Sequence, residues 1–162
     1  MPFTPYHMGF GLIAKSAKPT KVSLIMFGFS QIVIDLQQLY KHITNPHGLA
    51  YHGLTHTIIG ATIIAFICLP FRSALEKVFR QTISKPSAIY GVFIGVYSHL
   101  LLDGLVHSEV SQRLFWPFHI DSHLCGFINL KEMEMLCIIM GAVGLIFLWQ
   151  KGEIQAYFST KK

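Results

Sequence analysis

Three ionisable side chains recur at intervals of four in the sequence "SHLLLDGLVH", residues 98–107. On a helix, His99, Asp103 and His107 would share one broad face, because side chains four residues apart are neighbours on the helix surface. Imidazole and carboxylate groups are standard ligands for zinc and related divalent metals. The rest of the segment is apolar enough to cross a membrane, where ionised groups are costly without a partner. The pattern alone therefore predicts either metal ligands within a membrane span or a His and an Asp that form hydrogen bonds between packed helices.

Further candidate ligands lie in two other apolar segments. Asp35 interrupts the run "FGFSQIVIDLQQLY", and the motif "HGLTH" separates His52 from His56 by four residues. The two histidines would chelate as a pair, or Thr55 would cap the helix and leave His52 in the loop, with His56 as the ligand. An ionised Asp at the bilayer centre costs about 2.5 to 3.5 kcal/mol, so Asp35 and Asp103 need a compensating partner. A divalent cation would be such a partner.

The composition of the chain indicates the kind of fold that positions these residues. The chain has 162 residues, of which 52% are hydrophobic and only 13% charged, whereas soluble proteins average about 25% charged. The lysines and arginines that give the net charge of +5 are scattered, which does not favour nucleic-acid binding. We predict an all-α, multi-pass membrane helix bundle, with residues 1–162 as a single integral membrane domain. Four apolar windows are close to the roughly 17 to 25 residues that span a bilayer as helix: about 22–40, 55–71, 88–106 and 134–150.

Basic residues predict the orientation of these spans. If the lysines before the first span face the cytoplasm, ten of the thirteen Lys and Arg residues fall on that side, which is the bias that sets membrane topology. The ten are Lys15, Lys18, Lys21, Arg72, Lys77, Arg80, Lys85, Lys151, Lys161 and Lys162. We therefore expect a plasma-membrane protein with these residues on the cytoplasmic side, which in a bacterium would be an inner (plasma) membrane protein.

The polar groups converge at one depth. Asp35 follows Lys21 by fourteen residues, a helical rise of about 21 Å. His99 follows Lys85 by the same fourteen residues, and His56 lies about 24 Å above the inner end of its span. We therefore expect these groups to meet in the outer half of the membrane.

The N-terminal segment is expected to join them. Residues 5–15 are too few to cross a bilayer, so we predict a short half-helix that turns near Pro19. That half-helix would bring His7 close to the cluster. The opening "MPFTPYHMGF" has no basic n-region and no clear cleavage site, so we do not expect it to be a removable signal peptide.

The loop after the third span offers further histidines. His119 and His123 are four residues apart in "WPFHIDSH", which would suit a second metal ion, although an irregular, solvated loop fits the same residues. Trp116 and Phe118 are expected at the headgroup level, where aromatic rings settle.

Four motifs together carry a resemblance to a known family. The segments "MPFTPYHMGFG", "DLQQLY", "HGLTHTIIGA" and "SHLLLDGLVH" resemble the bacterial family of predicted membrane-bound metal-dependent hydrolases, from residue 1 to about 130. The order of candidate ligands is also similar to that of the zinc-dependent phospholipase C and P1 nuclease superfamily. This likeness implies metal ligands at His7, Asp35, His56, His99 and Asp103, followed by His107, His119 and His123.

The residues and the resemblance together lead to a functional hypothesis. We expect a hydrolase that uses one or two Zn²⁺ ions, with Asp35 and Asp103 as catalytic carboxylates, to cleave a phosphoester of a membrane lipid or lipid-linked substrate. One alternative is a non-hydrolytic protein that handles metal ions or protons within the membrane. The other is a regulatory interaction partner, because the resemblance implies association with a regulator of the DNA-damage response. The basic segment at residues 72–85 would then be the docking surface.

Overall fold

The computed structural model describes residues 4–44, 53–118, 120, 122 and 124–155. Within this part of the chain all regular structure is helical, which confirms the predicted fold class. The α-helices are α1 (Thr4–Ala17), α2 (Leu24–Thr44), α3 (Ile58–Cys68), α4 (Arg72–Phe79), α5 (Lys85–Val106), α6 (Ser108–Arg113) and α7 (Leu130–Gln150). Two 3₁₀ turns, Leu54–His56 and Leu69–Phe71, precede α3 and α4.

Three helical stretches of the described chain are long and apolar enough to cross a membrane: Ile58–Phe79, Lys85–Val106 and Leu130–Gln150. Helix α2 has the required length, at 21 residues, but is not among them, because its polar and charged residues, which include Gln31, Asp35 and Lys41, lower its mean hydropathy. Its outward side chains are nevertheless apolar and exposed, as expected for contact with lipid: Ile32, Leu36, Leu39, Tyr40 and Ile43.

The second predicted span is longer than its sequence indicated. Proline disfavours helix at the residue before it, which predicts an end near Pro70. Helix α3 does end at Cys68, but the membrane stretch does not end there. The 3₁₀ turn accommodates Pro70, and the helix then continues to Phe79. It ends at Arg80, which is left-handed with φ 51° and donates its backbone N–H to Glu76 O. The whole stretch from Ile58 has 22 residues, enough for a full crossing.

Small residues bring α2 and α5 into close contact, as the spacing of "GVFIG" predicts. A methyl group at Gly91 would lie 2.5 Å from the carbonyl oxygen of Ser23, and one at Gly95 would collide with Ser30 Oγ. The two backbones therefore run side by side. This contact places the polar residues of α2 opposite those of α5.

Helix α1 is the predicted half-helix. It has 14 residues, and the chain turns through Lys18–Lys21 before α2 begins. One side of α1 packs closely on α7, since a side chain at Gly9 would collide with the backbone of Cys137. Lys151 Nζ also donates to Ser16 O at 2.6 Å. Helix α7 thus holds α1 in place.

Candidate metal centre

Four side chains from three separate elements meet inside the bundle. Asp35 comes from α2, His56 from the 3₁₀ turn before α3, and His99 and Asp103 from α5. One ligand atom of each lies within 4.8 Å of the corresponding atoms of the other three. The convergence expected from matched depth is therefore observed. We refer to these four residues as the His/Asp cluster.

The four histidine–carboxylate distances in the cluster match those between ligands of one bound ion. His56 Nε2 lies 3.4 Å from Asp35 Oδ1 and 3.4 Å from Asp103 Oδ2. His99 Nε2 lies 3.2 Å from Asp35 Oδ1 and 3.3 Å from Asp103 Oδ2. Two ligands on a tetrahedral ion, with bonds of about 2.0 to 2.1 Å, are about 3.3 to 3.4 Å apart. The spacing therefore suits an ion of the size of Zn²⁺.

The chemistry of the donor set also suits a cation. His99 Nε2 is fully buried and has no hydrogen-bond partner among the described residues, although it faces the carboxylate oxygens of Asp35 and Asp103. Two carboxylates brought together away from water need positive charge between them, because an uncompensated buried charge is very costly. Two imidazole nitrogens and two carboxylate oxygens form a donor set that zinc accepts.

Gln31 orients His99. Its Nε2 donates to Gly95 O at 2.7 Å, so its Oε1 faces His99 and accepts the Nδ1 proton at 2.6 Å. In neutral imidazole only one ring nitrogen carries a proton. The lone pair of His99 Nε2 is therefore directed into the cluster, and such outer partners fix the tautomer of metal-binding histidines.

Thr55 orients His56, as Gln31 orients His99. Its hydroxyl lies 3.0 Å from His56 Nδ1, from which it accepts a proton, and it donates to Gln37 Oε1 at 3.3 Å. The helix cap is instead Thr57, whose hydroxyl accepts the N–H of Gly60 at 3.0 Å. The alternative in which Thr55 caps the helix is wrong. Its hydroxyl orients a candidate ligand.

His7 approaches the cluster from α1, as predicted. Its side chain is fully buried, and its Nδ1 lies 3.1 Å from His99 Nδ1. Its Nε2 lies 3.8 Å from Asp103 Oδ1, the carboxylate oxygen other than the one near His56 and His99. Asp103 thus directs Oδ1 toward His7 and Oδ2 toward His56 and His99.

The comparisons with known proteins place the chain in a family. A family model described as "YdjM inner membrane protein" matches residues 7–160. The chain belongs to the YdjM inner membrane protein family. No curated protein and no solved structure matches it. The family description and the three apolar spans together support an integral inner membrane protein.

The remaining predicted ligands of this YdjM family member are His107, which is not one of the four side chains of the cluster, and three histidines that lie outside the described residues. Helix α5 ends at Val106, and His107 follows in extended conformation, with its backbone N–H donated to Asp103 O at 2.7 Å. His107 is half-buried, and desolvation lowers its pKa below the usual value. The residues outside the described part are His52, His119 and His123.

The sequence patterns did not indicate the residues that orient the histidines. Gln31 lies one turn before Asp35 on α2, so its position on the same helix face was predictable from the sequence. Its role was not, because the hydrogen bond to His99 depends on how α2 and α5 are rotated against each other. Gln37 and Thr55 were missed for the same reason.

Removal of the Gln31 amide should weaken metal binding in this YdjM family protein. In Gln31→Leu, His99 Nδ1 loses its acceptor, and loss of such an outer partner typically costs 10- to 100-fold in metal affinity. Gln31→Glu keeps an acceptor and should retain more affinity than Gln31→Leu. Competition with a chromogenic zinc chelator measures the difference, with the exposed Gln150→Leu as the matched control. Equal affinity in Gln31→Leu and wild type would show that Gln31 does not orient a metal ligand.

Proposed function

We propose that the chain is a membrane-embedded, metal-dependent hydrolase whose metal ion is held by Asp35, His56, His99 and Asp103. The observation that carries the proposal is the close approach of four buried ligand atoms, all within 4.8 Å of one another. Catalytic zinc sites keep a position for water or substrate and sometimes expand to five ligands in the transition state. Asp35 has the most exposed side chain of the four, at 13%, so we place that position beside it.

The substrate that suits this centre is a phosphoester of a lipid or lipid-linked molecule. Asp35 lies about 16 Å from Leu24 at the start of α2, and His99 lies about 21 Å from Lys85 at the start of α5, by helical rise. These distances support a common level away from the basic ends of the helices. With the basic ends of the helices in the cytoplasm, that level lies toward the outer leaflet. A lipid could reach it sideways from the bilayer, whereas a soluble nucleotide would have to leave water.

The chain's own carboxylates would handle the proton. A bound divalent cation supplies an acidified water and polarises the phosphoryl oxygen. Asp35, the more exposed of the two carboxylates, would accept the proton of the attacking water and return it to the leaving alcohol. Asp103 is surrounded by histidines and would mainly hold the ion and position His56 and His99.

A second ion would fit beside the first. Asp103 Oδ1 faces His7 while Oδ2 faces His56 and His99, so one carboxylate would touch two ions. His7 Nε2 is buried and has no hydrogen-bond partner among the described residues. In pairs about 3.5 to 4 Å apart, metal ions stabilise both the attacking and the leaving oxygen. Metal analysis of His7→Ala would distinguish the two cases. Loss of one ion out of two would indicate a two-ion centre, whereas an unchanged content of one ion would indicate a single-ion centre.

A lipid panel tests the hydrolase. Purified protein loaded with Zn²⁺ should release phosphate or a phosphorylated headgroup from at least one phospholipid or lipid-linked phosphate. His99→Ala should abolish the release, because it removes a nitrogen 3.2 Å from Asp35 Oδ1 and 3.3 Å from Asp103 Oδ2. Tyr90→Ala removes a half-exposed ring from the same helix and should retain turnover. Full turnover in His99→Ala would exclude the cluster from catalysis.

The same variants distinguish the alternatives. Zn²⁺ or proton flux in vesicles that depends on His99 and Asp103, with no lipid cleaved, would favour metal or proton handling. Capture of a regulatory protein that is lost on neutralising Arg72, Lys77 and Arg80, with metal content intact, would favour an interaction role.

A further inference from the structure

A large apolar cavity lies beside the His/Asp cluster. Its volume is about 580 Å³, within the roughly 300 to 1,000 Å³ of ligand pockets. It is bounded by α1, α2 and α4, with Met8 and Gly28 on one side and Leu75 and Phe79 on the other. Gln31 is the polar residue in this lining.

The cavity opens on the face of the bundle that meets lipid. Ile32 and Phe79, which both line it, are 57% and 51% exposed. In a chain that spans the membrane, such apolar side chains face acyl chains rather than water. The mouth is therefore accessible to lipid from the side.

Two observations connect the cavity to the cluster. Gln31, in its wall, accepts the Nδ1 proton of His99. Gly28 and Ile32 are spaced at i and i+4 along α2, and Asp35 follows at i+7, so the three lie along one stripe of the helix. The stripe leads from the most exposed ligand of the cluster directly into the cavity.

We infer that this cavity holds one acyl chain of the lipid whose phosphoester lies at the His/Asp cluster. The inference rests on the proposed lipid substrate. Leu24 also lines the cavity and lies eleven residues before Asp35, about 16 Å by helical rise. A lipid with its headgroup at Asp35 would thus extend its tail along α2 toward Leu24.

The cavity would position the lipid rather than bind it strongly. Lipid tails are as apolar as leucine, so a chain that moves from the bilayer into an apolar cavity gains little hydrophobic free energy. Affinity would come from the headgroup at the cluster, and the cavity would determine where the tail lies. The test must therefore measure where the lipid tail lies and whether its binding to the cavity saturates.

Photo-crosslinking of the full-length protein provides that measurement. Zn²⁺-loaded protein in vesicles of phosphatidylethanolamine and phosphatidylglycerol receives a phosphatidylethanolamine that carries a diazirine near the end of one acyl chain. We expect labelling of the α2 and α4 residues that line the cavity, and excess unlabelled lipid should compete it away. Labelling of Ile138 and Leu145, on the exposed face of α7, should not saturate.

Substitutions that fill the cavity give the second arm. Gly28→Leu should cause loss of the competable label, because a side chain there projects toward Met8 and into the cavity. Ala142→Leu introduces the same side chain at an exposed position of α7 and should retain the competable label. Leu75→Trp fills the cavity from α4 and should reproduce the loss if Gly28→Leu does not fold. Zn²⁺ content should remain unchanged in all three.

Several results would overturn the inference. Cavity labelling that does not saturate, or that persists in both Gly28→Leu and Leu75→Trp, would exclude a specific tail site. A photoreactive diazirine amino acid placed at Ile32 that cross-links to another chain, with no lipid label in the cavity, would assign the cavity to a second copy of the protein. Competable labelling without any lipid cleavage would retain the tail site and reject the hydrolase. Cleavage without competable labelling would retain the hydrolase and reject the tail site.

Discussion

The substitution Asp103→Asn is expected to lower the affinity for a divalent metal ion by more than about 100-fold, beyond the 10- to 100-fold cost of losing an outer partner of a ligand. Asp103 lies close to three histidines: Oδ2 is 3.4 Å from His56 Nε2 and 3.3 Å from His99 Nε2, and Oδ1 is 3.8 Å from His7 Nε2. Asparagine has nearly the same size, so it fills the space but removes the negative charge.

Metal analysis of purified protein measures this effect. Wild-type protein and Asp103→Asn are equilibrated with Zn²⁺, passed through a desalting column and analysed by inductively coupled plasma mass spectrometry. Glu134→Gln makes the same change of charge on α7, which contributes no residue to the cluster, and should leave the metal content unchanged. Equal metal content in Asp103→Asn and wild type would mean that the cluster binds no ion.

Removal of the metal ion is expected to destabilise the wild-type fold. A ligand that binds only the folded state adds about 2.7 kcal/mol to the free energy of unfolding when its free concentration is one hundred times Kd. For a chain of 150 to 250 residues, this corresponds to a rise of roughly 5 to 10 °C in Tm. The effect should be clear here because the ion would relieve repulsion between two carboxylates, Asp35 and Asp103, that are held together inside the bundle.

Thermal unfolding in detergent micelles, followed by circular dichroism, tests this prediction. Wild-type Tm should rise with Zn²⁺ and fall after treatment with a chelator. In Asp103→Asn, Tm should respond to neither, whereas Glu134→Gln should behave as wild type. An identical response in Asp103→Asn would show that any stabilising ion binds elsewhere.

Much of the fold could be predicted from hydropathy and chain length. The windows at 88–106 and 134–150 correspond to α5 and α7, each of which begins a few residues earlier. Their N-terminal turns contain polar residues, so hydropathy cannot locate them. Ser84 caps α5, and a capping box between Asn129 and Glu132 starts α7. The 3₁₀ turn at Pro70 was not predictable because proline more often ends a helix than interrupts one.

The site could be predicted as far as depth along the helices determines it. Counting residues from the basic ends placed Asp35, His56 and His99 at one level, and the structure brings them together. The count says nothing about rotation of one helix against another, so the hydrogen bonds of Gln31 and Thr55 were not predictable. Whether the four side chains bind a metal ion stays a prediction.

Helix pairing was also beyond the sequence. No residue spacing indicated that α1 would pack on α7, yet the contact of Gly9 with the α7 backbone fixes the position of His7. Close helix contacts depend on complementary shape on both partners, and one chain's pattern of small residues does not identify the partner.

Because Asp35, His56 and Asp103 enter the bilayer on three different helical segments, no part of the chain made before α5 contains all of the cluster. While the chain is being synthesised, each aspartate carries its own insertion penalty of about 2.5 to 3.5 kcal/mol. Ion capture would relieve both penalties only after the helices have associated. Metal loading would then mark completed biogenesis, and a nascent chain released before α5 should remain ion-free and be a target for quality-control proteases.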